Sequence, residues 1–219
     1  MDETRVQSKD GVTLVGAGHP RAEDIEEALK LAPTLVAADG GGEFALAAGF
    51  APSRVIGDMD SLGQAARDRI GEDRIVGIAE QDSTDFEKAL SRIDAPFVIA
   101  TGFTAGRVDH TLAVCRSLVR RIGPRTLVLG AEDVLFAAPR KLTLDLPENS
   151  RLSLFPMAAV TGRSKGLNWP IEGLAFHPSG QIGTSNHVTG PVELDFDGPG
   201  MLVILPRAAL RAALAAIAD

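Results

Sequence analysis

Tyrosine is absent from this chain, and tryptophan and cysteine occur once each, as Trp169 and Cys115, in 219 residues. A lone cysteine excludes an intramolecular disulfide, and Cys115, in an apolar helix-like segment, reads as a small buried hydrophobe in a reducing compartment. No apolar run approaches the roughly 20 residues of a membrane span. The opening Met1-Asp2-Glu3-Thr4-Arg5 lacks the basic start and apolar run of a signal peptide. Both absences lead to the expectation of a cytoplasmic protein without a membrane partner. Positive charge is scarce as well. Against 29 Asp and Glu stand 22 Lys and Arg, a net charge of −7, which argues against nucleic acid as a partner. Walker A and kinase glycine-loop sequences are missing, so neither familiar phosphate cradle is available. If the ligand carries phosphates, metal ions must mediate.

What is present is ordinary in bulk, 45% hydrophobic and 23% charged, and long enough for one large domain or two small ones. The N-terminal part alternates apolar strands with helical segments. Strands are expected at 12–16, 34–38, 55–56, 74–78, 96–100 and 126–129, with helices over 22–31, 43–48, 64–70, 86–93 and 111–122. That alternation predicts an α/β unit with a doubly wound, mostly parallel sheet. Around Pro139 the style changes to short alternating runs such as Leu142–Leu146, Arg151–Phe155, Val192–Phe196 and Met201–Leu205, separated by turn residues. These predict a small all-β sandwich or barrel, closed by a short helix over 208–218. The expected domains are residues 1–138 and 139–219.

Carboxylates gather where the expected strands end. Val36–Ala38 runs into Asp39-Gly40-Gly41-Gly42, and Val55-Ile56 into Gly57-Asp58-Met59-Asp60-Ser61. Ligand crevices of open α/β sheets lie beyond such strand ends. Downstream, Gln81-Asp82-Ser83-Thr84-Asp85-Phe86-Glu87-Lys88 contains a capping box, Thr84 with Glu87, which does not need Asp82 or Asp85. In a helix, Asp85 and Lys88 share a face. The segment Gly106-Arg107-Val108-Asp109-His110 opens the next helix, with Asp109 either a plain N-cap or part of the site. Oxygen ligands without clustered histidine or cysteine suit magnesium rather than zinc. Such carboxylates would hold Mg2+ against a polyphosphate, with Lys88 and Arg107 neutralising the remaining charge. The Gly40–Gly42 turn would let backbone amides approach phosphate or an adenine ring.

These motifs, in this order and spacing, resemble those of the thiamine pyrophosphokinases, and Gly166-Leu167-Asn168-Trp169-Pro170 with Thr184-Ser185-Asn186 resembles that family's thiamine-binding domain. Ala105, Val114 and Glu43 depart from the family pattern. The resemblance implies an enzyme that transfers the terminal diphosphate of ATP to the hydroxyl of thiamine, releasing AMP. It further implies a homodimer with its site at the subunit interface. On that basis Asp58, Asp60 and Asp85 are assigned to metal, with Asp39 and Asp82 in support. Asp39, Gly40, Gly41, Gln81, Asp82, Lys88 and Arg107 go to ATP and its phosphates. Asp109 is assigned to the thiamine hydroxyl, Trp169 to stacking on the thiamine cation, and Ser185 and Asn186 to its polar edge. Two other classes remain. One is a haloacid-dehalogenase-like phosphatase, which Asp58-Met59-Asp60 superficially fits. The other is a non-catalytic nucleotide-sensing or thiamine-sensing module.

Overall fold

The computed structural model describes residues 4–218. One compact unit runs to Ser117 and takes in Ile122–Leu129; the other comprises Leu118–Arg121 and the chain from Gly130 onward. The second unit therefore begins ahead of the change of sequence style near Pro139.

In the first unit the strands are β1 (Val6–Gln7), β2 (Val12–Val15), β3 (Thr34–Ala38), β4 (Arg54–Gly57), β5 (Ile75–Gly77), β6 (Ile93–Asp94), β7 (Phe97–Thr101) and β8 (Arg125–Leu129). The helices are α1 (Ala22–Leu29), α2 (Gly41–Ala47), α3 (Gln64–Ile70), α4 (Asp85–Ser91) and α5 (Val108–Arg120), the last ending in the second unit. Strands β2, β3, β4, β7 and β8 are almost wholly buried apolar runs, the pattern of strands covered on both faces. Six strands lie in the order β8-β7-β2-β3-β4-β5, each pair parallel, while the short β1 pairs with β6. From β2 the connections run outward through β3, β4 and β5, and from β7 they run the other way to β8. The order reverses between β2 and β7. Beyond the carboxyl ends of that central pair a crevice is expected from topology alone.

The triple glycine differs from its expected role as a turn before a helix at 43. Gly40 is the N-cap of α2, and Gly41 and Gly42 are its first residues. A Cβ on Gly41 would lie 2.1 Å from the Val15 carbonyl oxygen, so only glycine lets the helix start so close under β2. Likewise α5 begins at Val108, which puts Asp109 in its first turn rather than at the N-cap.

The second unit holds β9 (Asp133–Ala137), β10 (Lys141–Leu144), β11 (Arg151–Pro156), β12 (Gly162–Leu167), β13 (Gly183–Phe196), β14 (Met201–Pro206) and α6 (Leu210–Ala218). Its pairings are antiparallel. The first part of β13 pairs with β11, which continues to β14 and β9; its later part lies between β10 and β12. Alternate residues of β13, from Asn186 and Val188 to Val192, Leu194 and Phe196, are buried, the period-two pattern of strands with one wet face. Among the described residues, no helix is long and apolar enough to cross a membrane.

Candidate active site

The crevice lies within the first unit, a cavity of about 460 Å³ lined by residues that follow β2, β3, β4, β5 and β7. Its floor is two loops zipped together: the Gly16 amide donates to Thr101 O at 2.9 Å and the Gly18 amide to Gly102 O at 2.8 Å.

Asp39 ends β3 and is 4% exposed, with a left-handed backbone at φ 43°. Its Oδ2 accepts from the Ser61 amide at 3.2 Å, while Oδ1 is buried with no hydrogen-bond partner among the described residues. Burial pushes its carboxyl above the ordinary value, with the Ser61 bond opposing and the Asp85 charge adding. Asp58 ends β4. Its Oδ2 accepts from Lys88 Nζ at 2.9 Å and Gln81 Nε2 at 3.3 Å, and the Lys88 bond holds its carboxyl below the usual range. Asp60 is exposed and accepts from the Ser61 hydroxyl at 2.9 Å. One oxygen each from Asp39, Asp58 and Asp60 lie within 4.8 Å of one another.

Lys88 is the cation of this group. It is only 3% exposed, and its Nζ donates to Asp58 and, at 3.3 Å, to Asp85 Oδ1. Burial works against its ammonium, but the bonds to Asp58 and Asp85 outweigh it, so Lys88 titrates above ordinary lysine. Burial raises the Asp85 carboxyl, with Lys88 opposing and Asp58 adding. Gly57 explains why the carboxylates fit so closely: a Cβ there would lie 2.8 Å from Asp39 Cβ and 3.1 Å from Asp85 Oδ1.

The structure thus brings Asp39, Gly40, Asp58, Gln81, Asp85, Lys88 and Arg107 to one crevice, with Asp60 in the oxygen cluster. Asp39, rather than Asp85, completes that cluster. Gly41, buried under β2, and Asp82 and Asp109 are not among the residues lining the crevice. Asp82 is exposed, its amide held with that of Ser83 by the Glu80 carboxylate. Asp109 is also exposed and is gripped by Arg107 through Nη2 at 2.6 Å and Nε at 3.1 Å, which keeps its carboxyl below the usual range. Sequence reasoning left His19, Ser61 and Phe103 unassigned, yet all three line the crevice. Only the strand order, which brings β7 beside β2, would have pointed to His19 and Phe103.

In the second unit Trp169 is 54% exposed, with its ring 5.5 Å from that of His187. Asn186 is buried and clamps the Trp169 backbone, Oδ1 accepting from its amide at 3.1 Å and Nδ2 donating to its carbonyl at 2.7 Å. Ser185 has a left-handed backbone, and its amide donates to Ser153 Oγ at 2.9 Å. Asn186 thus holds the tryptophan in place through the backbone.

An oxygen-only donor set with one buried, unpartnered carboxylate oxygen is chemistry that fits a hard divalent cation such as magnesium. Two family models match the chain, "Thiamin pyrophosphokinase, catalytic domain" over residues 25–128 and "Thiamin pyrophosphokinase, vitamin B1 binding domain" over 141–200. Thiamin pyrophosphokinase 1 of Caenorhabditis elegans is 27% identical over 155 residues, which span 63% of this chain and 63% of the worm protein. Among solved structures, thiamin pyrophosphokinase from Candida albicans superposes with a TM-score of 0.76 at 14% identity, covering 93% of this chain and 94% of its own. Thiamine pyrophosphokinase from Bacillus subtilis gives 0.71 at 22%, covering 89% and 98%. At those identities the superpositions speak for the fold alone.

Proposed function

Because this chain belongs to the thiamine pyrophosphokinase family, we propose that it transfers diphosphate from ATP to the hydroxyl of thiamine, giving thiamine diphosphate and AMP. The observation that carries this reading is the oxygen cluster of Asp39, Asp58 and Asp60 beside the buried Lys88, at the carboxyl ends of β3 and β4 in a parallel sheet. In this reading the first unit takes ATP and magnesium, and the second takes thiamine.

Asp39, Asp58 and Asp60 would hold magnesium, with Asp85 beside them. The ion supplies charge neutralisation for phosphate oxygens in the transition state. Lys88, placed among carboxylates without water to compete, gives a fixed positive charge against the transferred group. Gly40, the N-cap of α2, lines the same crevice and lets the chain come close to a bound phosphate. Gln81 binds the phosphate or nucleotide. Arriving phosphates offer Arg107 a stronger partner than Asp109, and the exchange frees Asp109 to orient the thiamine hydroxyl or accept its proton. Trp169, held by Asn186, stacks on the thiamine cation, with Ser185 beside it. The enzyme acts in the cytoplasm as a homodimer whose site takes carboxylates from one subunit and Trp169 from the other.

The test is an incubation with ATP, magnesium and thiamine, resolved by chromatography. AMP formed only when thiamine is present is the expected result. ADP, or phosphate released without thiamine, would overturn the assignment. A dehalogenase-like phosphatase carries its Asp-x-Asp pair on the first core strand, whereas Asp58 and Asp60 follow the third strand of this parallel sheet.

A further inference from the structure

Thr84 and Glu87, spaced as a capping box, complete one half of it. Thr84 Oγ1 accepts from the Glu87 amide at 3.3 Å. The Glu87 carboxylate turns to α5, where its Oε1 accepts from the Ser117 hydroxyl at 2.8 Å and from Arg116 Nη1 at 3.1 Å. Glu87 is 5% exposed. Taking a carboxylate that far from water is costly unless its bonds are good, and a surface cap would not require it.

The surroundings of α4 explain what the cost accomplishes. Phe86, Glu87, Lys88, Ala89 and Leu90 are all buried, so this helix of seven residues has no wet face over its middle. Burial of apolar surface is non-directional and leaves the rotation of such a helix loosely specified. Polar anchors are directional. Adjacent residues project about 100° apart around a helix, so Glu87 and Lys88 pull α4 from different sides. Lys88 reaches Asp58 at the end of β4, and Glu87 reaches α5.

We infer that Glu87 is a positioning residue: by pinning α4 to α5 it sets the rotation that places Lys88 Nζ on Asp58 and Asp85. The consequence for catalysis rests on the diphosphate-transfer reading; the geometric claim does not. Glu87→Gln keeps an oxygen for both donors, whereas Glu87→Ala leaves Ser117 and Arg116 without it.

Lysine acetylation by acetic anhydride, followed residue by residue by mass spectrometry, tests the claim on the whole chain without substrate. Lys30 and Lys165 are well exposed and serve as internal references. Lys88 of the wild type should react slowly. In Glu87→Ala its rate should rise by roughly tenfold or more, the scale of losing a buried charged hydrogen bond, while the references stay unchanged. Glu87→Gln should return it to within about twofold of wild type. Ile25→Ala, a core lesion on α1, controls for general loosening and should leave Lys88 protected. In turnover, Glu87→Ala should lose kcat with the thiamine KM kept, and Glu87→Gln should restore it. A protected Lys88 in Glu87→Ala would overturn the inference. So would equal exposure in Ile25→Ala at matched thermal stability. Absence of AMP formation by the wild type would instead refute the functional reading and leave the labelling result standing.

Discussion

Asp39 lines the crevice, and Gly57 leaves the room in which Asp39 and Asp85 pack beside it. Asp39 keeps an oxygen out of water with no partner among the described residues, which disfavours its ionised form. Its folded carboxyl titrates above the ordinary value of 3.8, so its contribution to stability is fully present below that value. The contribution is lost as pH rises through the folded value. At neutral pH without metal, Asp39→Asn should therefore raise Tm, and asparagine tolerates the left-handed backbone there. Added magnesium should raise the Tm of the wild type but not of Asp39→Asn, and the variant should turn over poorly. Differential scanning fluorimetry with and without magnesium checks both. Gly57→Ala pushes a methyl against Asp39 and Asp85. It should cost about 1–3 kcal/mol in denaturant unfolding, with a loss of turnover well beyond what that destabilisation explains. That Asp39, Asp58 and Asp60 would lie together was legible because aspartates recur at strand ends marked by glycine. The role of Gly57 was not, since it concerns a void between side chains from β3 and α4.

Helix α4 and strand β4 together hold the cation of the site. Lys88→Ala should slow turnover by about 10²–10³-fold, the scale of removing one preorganised charge partner, and weaken ATP binding while far-UV CD is unchanged. Alanine is the better helix former, so a large fall in Tm with normal kinetics would mean that Lys88 serves only as an ion pair. Long periodic or uniformly apolar segments such as β3, β7 and α1 could be read directly. Boundaries could not: α2 starts at Gly41 and α5 at Val108, because glycine and valine are poor helix starters whose placement is decided by contacts such as Val15 above Gly41. Strands β9 and β12 went unread. The first is a short buried run, Asp133–Ala137, that could belong to either kind of structure, and the second, Gly162–Leu167, has little apolar content.

At the scale of the molecule, the proposed dimer can be tested by complementation. Asp60→Asn and Trp169→Ala should each be weak alone. If a site draws these residues from different subunits, a mixed dimer has one site with both lesions and one with neither. Random exchange makes about half the dimers mixed, so activity should return to roughly a quarter of wild type. Differently tagged chains verify the exchange, and activity at the parents' average would refute the shared site. The strand order of the first unit carries a further consequence, for biosynthesis. Residues 12–15 lie at the centre of the sheet, beside 98–101. A chain emerging from the ribosome can align β2 with β3 and β4 early, but the other edge of β2 stays open until Phe97–Thr101 has been made. Until then β2 is a bare apolar edge, able to pair with any passing strand. Chains stalled before residue 97 should accordingly be retained by chaperones and bind no nucleotide, whereas chains stalled beyond Leu129 should do both less and more, respectively: crosslinking to chaperones falls and ATP protection appears. Pulse proteolysis of stalled ribosome complexes reads that order of events.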